Sequence, residues 1–219
     1  MKPAILSVVA LLALPACTYS VSGHAENRSA ESAGMVASRH VSVPGDAEFA
    51  GMLVNARGEV GRDLELAGAS VRSDAVVGGN LTADGARVRF TGSVGGNAEI
   101  AAGTAYLNAS IDGDTEIAAG RITLDGNLGG RLMMDAGHSK LRGVVRGPVE
   151  IRGHGRESGR NGRVEVSGHL AQGGMICAAE VEIDRSARID GDLLVISNRR
   201  PEGEGFRYEA LAGRDCDEI

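Results

Sequence analysis

The sequence predicts an all-β fold, a single-stranded parallel β-helix (β-solenoid) wound in triangular coils of seventeen residues. Three observations predict it. Apolar residues recur at Val43, Val60, Val77, Val94, Ile111, Leu128 and Val145, each step seventeen residues without a slip. Three clusters of small residues return in every repeat, and between them inward apolar and outward polar residues alternate as in half-buried strands.

The first corner follows the apolar marker. Gly45, Gly79, Gly96, Gly113, Gly130 and Gly147 stand two positions on, with Arg62 the exception, and Asp46, Asp63, Asn80, Asn97 and Asp114 come next. Glycine and Asx both tolerate positive φ, so this is turn chemistry, and the Asx side chains are expected to bond their own backbone. A second corner lies at Gly68-Ala69, Gly85-Ala86, Ala102-Gly103, Ala119-Gly120 and Ala136-Gly137. The third is marked by Gly58, Ala75, Gly92, Ala109, Gly126 and Gly143. Between corners, Leu64 and Leu66, Ala98 and Ile100, and Leu132 and Met134 point inward on one strand. Val88 and Phe90, Ala105 and Leu107, and Ile122 and Leu124 do so on another. Stacked coils place like over like at about 4.8 Å, so eight or nine coils make a rod roughly 40 Å long.

Composition agrees with a thin, layered core. Glycine numbers 33, aromatic residues are 3% and tryptophan is absent, whereas a conventional globule fills its centre with larger rings. The net charge of −6 argues against a nucleic-acid partner.

Residues 1–17 read MKPAILSVVALLALPAC. Lys2 precedes an apolar stretch from Ile5 to Leu14 that is too short to span a bilayer. Leu14-Pro15-Ala16-Cys17 resembles the lipobox of bacterial lipoproteins. That resemblance implies a signal peptide over 1–16, acylation of Cys17 and attachment to a membrane; Thr18 in place of Asp fits outer-membrane sorting. Acylation of Cys17 leaves an even pair, Cys177 and Cys216, in an exported chain. Cleavage as an ordinary secretory signal is the other reading, and it leaves three. Residues 17–40, rich in Ser, Ala and Gly, read as a flexible tether.

The solenoid is expected over 41–196. Its register breaks after Ile151, where 153–163 (GHGRESGRNGR) read as a loop bulging from one corner, and the pattern returns in Val164-Glu165-Val166 and over 181–196. Residues 197–219 are expected to be a tail, or a cap that covers the last coil with Phe206, Tyr208 and Leu211. No such cap precedes the first coil, so self-association through that end is expected.

The stretch AAEVEIDRSARIDGDLLV, residues 178–195, with VGGNLTA, VGGNAEI and IDGDTEI, resembles the repeat of bactofilins, a polymer-forming bacterial cytoskeletal family. The likeness covers about 41–196. It implies a compact right-handed β-helix whose ends stack without nucleotide. Bactofilins are typically cytoplasmic, whereas this chain carries an export signal and a tail long enough to cover its terminal coil.

Catalytic readings fare poorly. A left-handed β-helix acyltransferase needs a six-residue unit and a histidine base, but seventeen is no multiple of six. His24, His40, His138, His154 and His169 share no column and fall in tether or loops. Pectate-lyase-like enzymes need long loops around a calcium site, and the corners are two or three residues long. The calcium-binding GGxGxD nonapeptide is missing. No catalytic residue, metal or cofactor is therefore expected. Arg156, Arg160 and Arg163, with Arg146 and Arg152 nearby, suggest a grip on anionic headgroups or cell-wall polymers; the plainer reading is a solvated loop. Cys177 and Cys216 are expected to form a disulfide that pins the tail, with two free thiols as the other reading. The leading function is a lipid-anchored structural scaffold of the cell envelope, on the outer membrane facing the periplasm. The second is a surface binding module, an adhesin or a cell-wall or glycan binder.

Overall fold

In a computed structural model, residues 29–154 and 162–216 are described. The stretch read as a signal peptide, Cys17, the start of the stretch read as a tether, Arg156 and Arg160 lie outside them.

Seven strands of fourteen residues follow one another: β1 (Ala30–Val43), β2 (Ala47–Val60), β3 (Leu64–Val77), β4 (Leu81–Val94), β5 (Ala98–Ile111), β6 (Thr115–Leu128) and β7 (Leu132–Val145). Each pairs in parallel with the next in a constant register of seventeen, as in Leu64↔Leu81 and Val77↔Val94. Each strand is one coil. Two of the three corners are bends inside it, and only the Gly–Asx corner interrupts it, for three residues. The ladder continues through that corner, where the N–H of Gly78 meets the carbonyl of Val60 at 2.8 Å and that of Gly95 meets Val77 at 2.9 Å. Backbone polar groups are thus satisfied around almost the whole circumference, as a buried parallel sheet requires.

The inward columns explain why the coil closes on these residues. The first face stacks Phe49, Leu66, Ala83, Ile100, Ile117 and Met134; the second stacks Ala56, Ser73, Phe90, Leu107, Leu124 and Leu141. The third stacks Val60, Val77, Val94, Ile111, Leu128 and Val145. All are buried, and all but the polar Ser73 belong to one continuous hydrophobic core. Large residues sit beside small ones in adjacent coils, so the narrow interior fills without bulky rings. At the bend of the second face, Gly92 has φ +134°, and a Cβ there would lie 2.0 Å from the carbonyl oxygen of Ala75. Small residues hold this column because the bend brings successive backbones together.

Three features depart from the sequence reading. First, the solenoid begins at Ala30, inside the stretch read as tether over 17–40. Gly34 pairs with Gly51 and Val36 with Leu53, so the seventeen-residue register already runs there. Its inward positions are small or polar (Ala30, Ser32, Ala37), which hid the strand from a search for apolar alternation. Second, the Asx side chains do not bond their own backbone. Oδ1 of Asp63, Asn80, Asn97 and Asp114 accepts the backbone N–H of the residue one coil later, at 2.7 to 2.9 Å. Stacking offers each oxygen a donor at the inter-coil spacing, closer than its own turn does. Third, His40, His138 and His169 lie in strands and not in loops.

The eighth coil comprises β8 (Val149–Gly153), β9 (Arg163–Val166) and β10 (His169–Leu170), all paired with β7. Arg163 pairs with His138, twenty-five residues back, so this coil holds eight residues more than its predecessors, at the corner where the bulge was expected. The ninth has β11 (Gly173–Cys177), β12 (Glu180–Ile183) and β13 (Arg188–Ile189). The tenth is incomplete: β14 (Asp192–Ser197) pairs with β11, and β15 (Phe206–Ala210) pairs back onto β14 only thirteen residues later, Leu193↔Phe206. The chain omits the other two faces there. About ten turns result. At the parallel-strand spacing they make a rod roughly 45–50 Å long.

The region read as a tail over 197–219 is thus part strand and part cover. Pro201 is buried, and Phe206 packs on the main core. Leu211 and Cys216 form a second small core with Cys177 and Ile196. That second core lies on the outer side of the first face, since Cys177 pairs with the outward Arg152.

Candidate functional site

The walls of the solenoid follow from its corners. Turns of three residues cannot carry a cleft, and the hollow along the Gly–Asx corner, beside Asn97, Glu99, Asp114, Glu116 and Arg131, encloses about 230 Å³. Among the described residues no three His, Cys, Asp or Glu side chains stand together as a metal site. No helix among them is long and apolar enough to cross a membrane.

The larger depression lies at the C-terminal end, about 1130 Å³, where the second face of the last coils meets the segment 198–202. It exists because the tenth coil is incomplete: β12 pairs with β9 on one side and has no ladder partner on the other among the described residues. Its lining is mixed in sign, with Lys140, Arg185 and Arg199 among the cations and Glu165, Glu182 and Glu202 among the carboxylates, and Lys140 pairs with Glu165.

Arg163 sits at the edge of this groove and is already engaged. Its guanidinium reaches Glu165 at 3.2 Å, Glu180 at 3.4 Å and Glu182 at 2.7 Å. The hydrogen bond it donates to Glu182, helped by the charges of the other two carboxylates, holds its pKa above the ordinary arginine value. A phosphate seeking Arg163 must displace three carboxylates, so this residue anchors coil to coil and is a poor anion hook. Arg152 is likewise paired, with Glu150 at 2.6 Å. Around Glu165, burial opposes the charge, yet the hydrogen bond from Lys140 at 2.7 Å and the charges of Arg163 and His138 hold its carboxyl below the usual range.

The cysteine pair closes the same end. Cys177 and Cys216 are disulfide-bonded with Cα atoms 5.7 Å apart, and both are buried. The bond fixes the last described residues to the outer side of β11, and the hydroxyl of Tyr208 donates to the carbonyl of Ser197 at 3.0 Å beneath them. Arg207 and Asp192 add a two-pronged pair, each contact 2.7 Å, between β15 and β14. The edge strand that remains is five residues long and carries Arg207 and Glu209, a form that discourages further strand addition.

The opposite end differs. Among the described residues nothing pairs with the outer edge of β1, fourteen residues long. At one of its bends Met35 and Val36, with Met52 and Leu53 in the next coil, are 71%, 65%, 60% and 53% exposed. The sequence reading missed this group, because residues up to His40 were assigned to a tether. The signal lay in extending the register one step back, which sets Gly34-Met35-Val36 over Gly51-Met52-Leu53.

Comparison with protein-family models, with curated proteins and with solved structures yields no match.

Proposed function

We propose that this chain is a lipid-anchored structural protein of the cell envelope, a rigid rod tethered through acylated Cys17 to the outer membrane and facing the periplasm. The observation that carries this reading is the uninterrupted backbone ladder from β1 through β8, closed by corners too tight for a reaction cleft. Coil length and Gly–Asx corners resemble bactofilins, and that likeness supports a scaffolding role built on self-association.

The two ends differ in what they offer a second copy. The C-terminal end is shortened to β15, covered by Pro201 and Phe206 and pinned by the disulfide. The N-terminal end offers a full open edge, so association through it joins two rods and then stops. Sedimentation of the mature chain from residue 17, bearing Cys17→Ser, tests this. A monomer–dimer equilibrium is the expected result, and a strict monomer at high concentration overturns the self-association. Mass spectrometry of the protein extracted from envelopes tests the anchor, since an unmodified Cys17 overturns it.

The open groove beside β12 favours a second reading, a surface module that binds an extended polymer or peptide. Retention on purified cell-wall material, lost when Arg185, Arg199 and Arg200 are replaced by Ser, is its distinguishing result.

A further inference from the structure

We propose that the corner formed by Met35, Val36, Met52 and Leu53 dips into the lipid interface, so that the rod touches the membrane with its first two coils as well as through its acyl chains. This rests on the reading of Cys17 as acylated and specifies how the anchored rod sits.

The patch is unusual for this molecule. Among the described residues, the large hydrophobic side chains that stand exposed are these four and Val76, which lies at a different corner one coil further on. Val36 pairs with Leu53 in register, and the two methionines flank them at the same bend, so the four make one contiguous surface. The bend is also free of charge: Ala33–Ser38 and Ala50–Asn55 contain no ionisable residue. Following the column along the rod, Leu53 gives way to Ser70, then Arg87, Thr104, Arg121 and His138. The apolar corner is therefore confined to the two coils nearest Cys17. An envelope rod with no apolar partner at this bend has no reason to differ there from its other coils.

Reach and area identify the occupant. Twelve residues separate Cys17 from Ala30, and even fully extended they span at most about 45 Å. An acylated Cys17 thus keeps Ala30, the start of the first coil, within that distance of the bilayer, so the first coils are the part of the rod nearest the anchor along the chain. The acyl chains already hold the protein at the membrane, so the corner is not needed for attachment and acts as an interfacial contact that sets how the rod sits. A second protein copy fits the patch less well. Stable protein interfaces engage roughly 20–30 residues a side, whereas four side chains at one bend form a contact far below that size. The headgroup boundary sets no such threshold, and there the open backbone groups of β1 still find water.

The test uses the full acylated chain in phosphatidylethanolamine–phosphatidylglycerol vesicles, with an environment-sensitive fluorophore on Val36→Cys and, as control, on Thr104→Cys, further along the same corner. Fluorophore emission at position 36 should shift to the blue and be quenched by spin-labelled lipid, while that at position 104 stays water-like. Water-like emission at both positions in acylated protein overturns the proposal and leaves the anchor reading intact. A blue shift at position 36 that grows with protein concentration and is unchanged by adding vesicles, with no quenching by spin-labelled lipid, also overturns it, in favour of a second copy. In a second arm, the Cys17→Ser chain should partition weakly onto the same vesicles, and adding Met35→Ser, Val36→Ser, Met52→Ser and Leu53→Ser should reduce that partition by at least about tenfold. Equal partition with and without the four serines overturns the proposal. The acyl mass on Cys17 is read separately, so loss of the anchor and loss of the corner contact are told apart.

Discussion

The Oδ1 atom of Asp63 accepts the backbone N–H of Asn80 at 2.7 Å, one full coil further on, and also the side-chain amide of Asn80 at 3.1 Å. The same oxygen-to-amide step repeats upward through Asn80, Asn97 and Asp114 to the N–H of Arg131. The corner is therefore a ladder of side chains that continues the backbone ladder. It sits where the turn would otherwise leave amide donors facing solvent.

Asn80→Ala removes an acceptor for Asn97 and a donor for Asp63, and should lower stability by about 1 kcal/mol in urea unfolding. Asn80→Asp keeps the acceptor but sets a carboxylate beside that of Asp63. It should destabilise at neutral pH and low salt, and recover when salt is raised. A stability of Asn80→Asp indifferent to salt contradicts the stacked arrangement.

How much of this was legible in the sequence depends on which contact carried the signal. The columns from Val43 to Val145 were readable because identical coils demand identical residues at each inward site, and β2 to β7 follow that register. The Asx residues were readable as corners, but not their partners: an oxygen that bonds seventeen positions ahead looks in sequence like one that bonds its own turn. Coil 1 escaped because a terminal coil covers the core on one side only, so Ser32 and Ala37 suffice where later coils need Phe49 and Val54. Arg163 was legible as a charge, but the three glutamates that claim it are brought together only by the stacking of β9 on β12.

The disulfide spans 39 residues between Cys177 and Cys216. In the chain-entropy model a loop of this length contributes about 4 kcal/mol. Reduction, or Cys216→Ser, should therefore release the second core of Cys177, Ile196 and Leu211 before the coils unwind. Hydrogen exchange followed by mass spectrometry should show β14 and β15 losing protection while β2 to β6 keep theirs. Uniform loss along the rod means that the end and the body unfold as one unit.

Acid should weaken the same end selectively. Burial opposes ionisation of Glu165, but its contacts with Lys140 and Arg163 prevail. Hydrogen bonds from Ser186 to Asp184, from His169 and Arg188 to Asp190, and from Arg207 to Asp192 depress those three carboxyls as well. All four belong to coils eight to ten. A carboxyl whose folded pKa lies below its unfolded one contributes stability above the unfolded value, near 4, and loses that contribution as pH falls through the lowered value. Protection in β9 to β15, corrected for the intrinsic exchange rate at each pH, should fall as pH drops below about 4, with β2 to β6 little changed. A loss of protection that begins instead at the N-terminal coils removes this account.

Thr115 is buried in the column between Ala98 and Leu132, and its hydroxyl has no hydrogen-bond partner among the described residues. A hydroxyl kept from water without a partner is destabilising, whereas an apolar group of the same shape is not. Thr115→Val should raise stability by about 1 kcal/mol, read as a higher urea midpoint with an unchanged slope. A loss of stability would mean that the hydroxyl is satisfied and the column is not dry.

Glycines at one bend report on whether the first coil is truly outermost. A Cβ on Gly51 would lie 2.3 Å from the carbonyl oxygen of Gly34, a backbone atom that cannot move aside alone. Gly51→Ala should therefore cost roughly 1–3 kcal/mol, as overpacked sites do. A Cβ on Gly34 meets nothing within 4 Å, and among the described residues no strand pairs with the outer edge of β1. Gly34→Ala should be neutral, or stabilising by about 0.5 kcal/mol through the unfolded chain. The contrast holds only while the edge of β1 stays open. If a second copy stacks there in the register of the internal coils, Gly34 takes the place that Gly51 has, and its substitution should become as damaging at high protein concentration as Gly51→Ala is at low. Thermal unfolding of both variants across a concentration series thus reads the state of the edge: a Gly34→Ala penalty that grows with concentration reports a partner strand packed against Gly34, and a flat one reports that no strand is stacked there in the register of the internal coils.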